Sequence, residues 1–146
     1  MKIRIIIYLV FLILFTGCTP NANNKPAKTE DELYTKIVTT PGLGGIVGQI
    51  KIPKFWEQSL LYAYAAPYLG DPEGEGIFIL DDKLNAFSEI NRNGKFLINN
   101  IPPGIYILVI GPDTETAIPY RENGLALKYE VFSDQFLDVG LINFDN

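Results

Sequence analysis

The sequence predicts an all-β sandwich or barrel. Three observations carry that prediction. Eight segments read as strands, by period-two alternation or by short apolar runs. No segment shows a convincing helical period, and turn residues recur every eight to twelve positions or so. About 100 residues suffice for one such core, burying roughly two-thirds of the unfolded chain's surface.

From Gly45 onward, Ile46, Gly48, Ile50 and Ile52 alternate with Val47, Gln49 and Lys51, a first strand that Pro53 ends. Lys54–Gln58 is a loop holding the only tryptophan, Trp56. Leu60–Ala66 sets Leu60, Tyr62, Tyr64 and Ala66 on one face and Leu61, Ala63 and Ala65 on the other. Pro67–Gly76 is a polar loop with three acids, Asp71, Glu73 and Glu75. Ile77–Leu80 is a short apolar strand, Asp81-Asp82-Lys83 a turn, and Asn85–Ile90 a further strand.

The next stretch organises the fold. Asn93-Gly94 tolerates positive φ and marks a tight hairpin. Lys95–Ile101 follows, with Phe96 and Ile98 on one side and Lys95, Leu97 and Asn99 on the other. Pro102-Pro103-Gly104 stops it, because proline cannot donate to a ladder. Ile105–Ile110 is apolar on both faces, as a central strand buried on both sides requires. A loop from Gly111 runs to Asn123-Gly124. Leu125, Leu127, Tyr129 and Val131 then alternate with Ala126, Lys128 and Glu130, and Phe136–Phe144 is the last strand.

The first 17 residues read as an export signal: Lys2 and Arg4, an unbroken apolar run Ile5–Phe15, then Phe15-Thr16-Gly17-Cys18. The apolar run is about half the roughly 20 residues a membrane-spanning helix needs. Small residues before the only cysteine resemble the lipobox of bacterial lipoproteins, although Phe15 stands where that motif usually has Leu. The resemblance implies cleavage between Gly17 and Cys18 and acylation (palmitate) of Cys18. It places the protein lipid-anchored to the bacterial cell envelope, facing outside the cytoplasm. The alternative is an ordinary secreted protein with a free or paired cysteine, yet no second cysteine exists to pair with it. Residues 18–43 then form the lipidated cysteine and a flexible linker, too polar over Asn21–Thr29 to fold alone. As a flexible coil of about 22 residues it spans roughly 25–30 Å.

The chain from Cys18 has ten bases against seventeen acids, a net charge of −7, which disfavours nucleic acid as a partner. With no histidine, Ser-His-Asp and Cys-His mechanisms and histidine-ligated metals are excluded. No nucleophile elbow surrounds a serine, and no glycine-rich loop leads into a helix to cradle phosphate. We therefore expect no enzyme and no cofactor.

Residues 44–146 also resemble a known family. Ile46-x-Gly48-x-Ile50, then Phe87 and Asn91-x-Asn93-Gly94-Lys95-Phe96-x-Ile98-x-Asn100-Ile101-Pro102-Pro103-Gly104-x-Tyr106-x-Leu108, is similar to the carboxypeptidase regulatory-like domain. The resemblance implies a single transthyretin-like (prealbumin-like) β-sandwich of about seven strands, grouped with the carbohydrate-binding-like folds and used as an accessory module. Glu57-Gln58-Ser59-Leu60-Leu61 departs from the family's usual Pro-x-x-Gly-Ala segment. A related pilin-type sandwich joins Lys to Asn through a buried Glu. Lys51 and Asn143 could supply the pair, but Ile110 stands at the acid's position.

Two candidate sites remain. Asp71, Glu73 and Glu75 offer alternating carboxylates that could hold calcium, weighed against a solvated acidic loop. Trp56, with Tyr62, Tyr64 and Tyr68, offers ring faces for sugars or for a partner's side chains; Trp56 is expected to be exposed, and the tyrosines could instead be core. The leading expectation is a non-catalytic envelope lipoprotein whose sandwich serves a protein partner. The alternative is carbohydrate (polysaccharide) binding through the patch around Trp56.

Overall fold

The computed structural model describes residues 39–144. The expected signal peptide, the Gly17–Cys18 cleavage and lipidation site and the linker up to residue 38 lie outside the described residues. What is described is nearly all β. Strand β1 (Gly44–Lys51) pairs antiparallel with β5 (Lys95–Ile101) and parallel with β11 (Phe136–Asn143), forming a three-stranded sheet. The larger sheet is built on β2 (Leu61–Gly70) and β6 (Gly104–Gly111), which pair antiparallel. Outside β2 lie β3 (Gly76–Phe78) and β4 (Ala86–Ile90). Outside β6 lie β7 (Ile118–Pro119) and β10 (Lys128–Val131).

β7 and β10 pair with the same edge of β6, and Tyr120 bridges them by donating its backbone N–H to Leu108 O at 2.8 Å. They act as one edge strand interrupted by a small hairpin, β8 (Arg121–Glu122) with β9 (Leu125–Ala126). The single strand expected over Leu125–Val131 is therefore two. Asn123 and Gly124 both adopt positive φ, 52° and 81°, and their tight turn sends the chain out of the sheet and back.

The two sheets share one core, and the alternation read from the sequence decides who enters it. Ile46 and Ile50, Leu61, Ala63 and Ala65, Phe96 and Ile98, Leu108 and Ile110, and Ile142 all lie within it. β6 contributes to both faces of its sheet. Tyr106, Leu108 and Ile110 point into the main core, while Ile107 and Val109 join Tyr64 and Ala66 in a second cluster on the outer face. The tyrosine after the proline pair has its own role: Tyr106 is buried and donates its hydroxyl to Pro102 O at 2.8 Å, tying the β5–β6 turn to the core.

The chain is stitched on before β1 begins. Thr40 N–H reaches Asn100 Oδ1 at 2.9 Å and Gly42 N–H reaches Asp134 Oδ1 at 2.8 Å. Between β4 and β5, Asn91 organises the turn: its backbone N–H bonds Lys95 O at 2.9 Å, and its side chain accepts from Asn93 and Lys95 N–H. Gly94 completes the turn at φ 77°, and a Cβ there would lie 2.0 Å from Ile50 O. Gly124 has φ 81° with open space around it. Comparing the two separates backbone strain from collision. Gly124→Ala should cost about 1 kcal/mol and Gly94→Ala about 3 kcal/mol or more. Thermal melts of the two variants check this, and equal shifts would contradict the collision.

Candidate binding face on the outer side of the large sheet

The outer face of the large sheet carries the tyrosines that the sequence singled out. Residues 62, 64 and 68 lie on one side of β2, and their partners complete the surface: Phe87 opposite Tyr64 on β4, and Phe78 opposite Tyr68 on β3. The face has two ends of different character.

At one end Tyr62, Tyr64 and Phe87 pack on each other, with centroid separations of 6.2, 5.8 and 5.7 Å, within the range of favourable ring pairs. Tyr64 is buried, Tyr62 half-buried and Phe87 49% exposed. Burial raises the Tyr64 hydroxyl's pKa, helped by Tyr62 and by the nearby charges of Asp113 and Asp82. Asp113 nucleates the loop that covers this end. Its carboxylate accepts from the Thr116 hydroxyl at 2.7 Å, Thr116 N–H at 2.8 Å and Glu115 N–H at 3.0 Å. The Thr116 bonds lead in holding its pKa below the usual carboxylate value. Ala117 then packs on the cluster, passing so close to Gly111 that a Cβ there would lie 2.4 Å from the Ala117 backbone.

At the other end the face opens into a groove of about 570 Å³. One wall is the β2–β3 connection with Glu73, Gly74 and Glu75; the other is the β8–β9 hairpin with Arg121, Leu125 and Ala126. Tyr68, Phe78 and Ile107 lie between them. Lys128 locks the first wall in place. Its Nζ donates to Asp71 O at 3.2 Å, Pro72 O at 3.0 Å and Gly74 O at 2.6 Å, and lies 4.4 Å from the Tyr68 ring centroid. The single proton of the Tyr68 hydroxyl is shared between two of the same carbonyls, Asp71 O at 3.2 Å and Gly74 O at 3.0 Å.

The structure bears on both candidate sites. Asp71, Glu73 and Glu75 do not gather as calcium ligands; among the described residues no group of three or more acidic or cysteine side chains is placed to hold a metal ion. The oxygens that converge there are backbone carbonyls, and they converge on Lys128. The Asp71 carboxylate turns the other way and accepts from Glu73 N–H at 3.0 Å.

At the second site the expectation is corrected: Trp56 is 8% exposed and belongs to the main core rather than to an exposed patch. Residues Lys54–Trp56 form a single 3₁₀ turn, with Trp56 N–H bonding Pro53 O at 2.9 Å. At about three residues per turn, neighbours point roughly 120° apart. Trp56 therefore goes in and Phe55 comes out, 69% exposed. The Trp56 ring packs against Phe144, which in turn meets Tyr120, so it shares no patch with Tyr62, Tyr64 and Tyr68.

Lys51 and Asn143 are register partners at the end of the parallel β1–β11 pair; Lys51 is exposed, and Ile110 is fully buried on the other sheet.

Comparison with protein-family models and with curated proteins returns no match. Among solved structures, a presumed carbohydrate-binding protein of Pseudomonas aeruginosa is similar over 80% of this chain and 98% of its own, at 16% identity and a TM-score of 0.35. A likeness that loose assigns nothing to this chain.

Sequence reading missed Phe78, Phe87, Arg121 and Lys128 as members of this face. The signal was present in the alternation: Ile90 enters the core, so Phe87 and Glu89 must face out, and Tyr129 enters it, so Lys128 must face out. The burial of Trp56 sets a test. Trp56→Ala should lower stability by about 3–5 kcal/mol, as large-to-small changes of buried aromatics do. Chemical denaturation measures it, and a loss under about 1 kcal/mol would contradict a core role.

Proposed function

We propose that the sandwich is a non-catalytic saccharide-binding module, held outside the cytoplasm by a lipid on Cys18 and used as carboxypeptidase regulatory-like domains are, as an accessory. The groove supports this reading. Its volume falls in the range of small-ligand sites, about 300–1,000 Å³. Its lining combines two aromatic residues, Tyr68 and Phe78, with three charged ones, Glu73, Glu75 and Arg121, the last of which also donates to Gly124 O at 2.9 Å. The apolar C–H face of a sugar ring can rest on an aromatic ring while its hydroxyls donate to carboxylates and accept from arginine.

The sequence and the groove together favour binding over turnover. Histidine is absent from the whole chain. Glu73 and Glu75 lie two residues apart on one exposed loop, rather than on opposite sides of a cleft where a glycosidase needs its two carboxylates.

A protein partner is the second reading, and a different surface favours it. Phe55 is 69% and Ile118 41% exposed. Ile118 borders a smaller groove of about 300 Å³ with Tyr120, Arg121 and Phe144.

Calorimetric titration of the full chain in detergent against cell-wall and storage oligosaccharides decides between them. Saturable binding weakened about tenfold or more in Phe78→Ala and in Glu75→Gln is expected, each loss equivalent to about 1.4 kcal/mol. No binding by any glycan would overturn the saccharide reading and leave exposed Phe55 and Ile118 as the positions to probe by crosslinking in cells. The anchor is checked independently. Cys18→Ser should abolish fatty-acid labelling and release the protein from membranes, and a variant that stays membrane-bound would refute lipidation.

A further inference from the structure

The β2–β3 connection carries an excess of negative groups: three acidic side chains, and three backbone carbonyls turned toward one point. A loop of this composition left to itself would spread into water. Here it is folded back across the sheet. β2 and β10 are separated by β6, a span of about 10 Å at ordinary strand spacing. The Lys128 side chain reaches over β6, and the loop folds back to meet it. An ammonium has three N–H donors, and Lys128 places one on each of Asp71 O, Pro72 O and Gly74 O, with the Tyr68 ring beside the charge. The arrangement is that of a small cation in a carbonyl nest, with the cation supplied by the chain.

We infer that Lys128 is a positioning residue of the groove: its ammonium is the resident cation that shapes the Asp71–Gly76 loop and so sets where Glu73 and Glu75 stand. This rests on the saccharide reading for its functional consequence, although the geometry of the loop is independent of it. Lys128 need not touch the ligand. It acts through the carbonyls, and the carboxylates of residues 73 and 75 ride on the same short segment.

The nest imposes a chemical requirement that a merely space-filling side chain would not. The occupant must be compact, positively charged and able to present donors toward three oxygens on one side. A planar guanidinium directs its N–H groups in one plane and does not meet that requirement. Free methylammonium does, and tetramethylammonium, which has the charge but no N–H, does not.

The experiment uses the full chain in detergent, with Lys128→Ala and Lys128→Arg. Amide hydrogen exchange over residues 71–76 is read without ligand, and oligosaccharide affinity is read by calorimetry. Lys128→Ala should accelerate exchange in this loop alone and weaken saccharide binding about tenfold or more. Methylammonium should restore both toward the parent values, tetramethylammonium at the same ionic strength should restore neither, and Lys128→Arg should behave like Lys128→Ala. Unchanged exchange in Lys128→Ala, or equal restoration by both cations, overturns the inference. Loop protection that is lost and then restored by methylammonium, in a protein that binds no saccharide, upholds the positioning role and overturns only the saccharide reading.

Discussion

Strand β6 has no face for water, and much of the molecule answers that constraint. Its inner side chains, Leu108 and Ile110, fill the sandwich, while Ile107 and Val109 point away from it and are just as buried. Fully burying a side chain of this size stabilises by roughly 1.5–3 kcal/mol, so an uncovered outer face would forfeit several kcal/mol. Among the described residues, three strands oppose the large sheet, and all of them lie on its inner side. The outer face is therefore covered by its own connections. The Asp113–Ala117 loop covers one end, and the β2–β3 connection and the β8–β9 hairpin flank the other. Loops cover a sheet less evenly than a second sheet would, and the groove is the space left between two of them.

The same constraint explains which parts of the structure were legible in the sequence. Ile105–Ile110, apolar at every position but one, could only be a strand covered on both sides. The faces of β1, β2 and β5 followed from alternation, because a half-buried strand has only two sides to choose from. Trp56 was not legible in this way. A residue in a short connection has no period to constrain it, and one 3₁₀ turn was enough to exchange the roles of Phe55 and Trp56. The edge strand was half legible. Asn123-Gly124 was read as the end of a loop, and the alternation running from Leu125 to Val131 concealed that the first two residues belong to a hairpin and the last four to the sheet.

The acidic loop shows what local composition leaves open. Alternating carboxylates suggested a calcium site because the sequence shows side chains and hides the direction of carbonyls. The structure uses the carbonyls, and their partner, Lys128, lies more than fifty residues further along the chain. Pairing them requires knowing that β2, β6 and β10 lie side by side, which is a property of the sheet and not of either segment. The Asp71 side chain is itself occupied with the turn that presents those carbonyls.

The two ends of the outer face contain similar residues and do different things, and the difference lies in what the rings touch. Tyr62, Tyr64 and Phe87 spend their faces and edges on one another, and Tyr64 lies under the cover of its neighbours. Such a cluster stabilises the sheet and offers a ligand little beyond the outer side of Phe87. Tyr68 has no ring partner among the described aromatic pairs. Its contacts are a cation and two carbonyls, gathered around its hydroxyl and ring, and with Phe78 and Ile107 it lines the groove. Tyr68 is held by a cation over its ring and by two carbonyls at its hydroxyl, in an open groove with Glu73 and Glu75 on one wall and Arg121 on the other, and it is on this lining that the proposed saccharide reading rests. The open end of this face is therefore the one where the chain has used charge, rather than more rings, to hold its tyrosine.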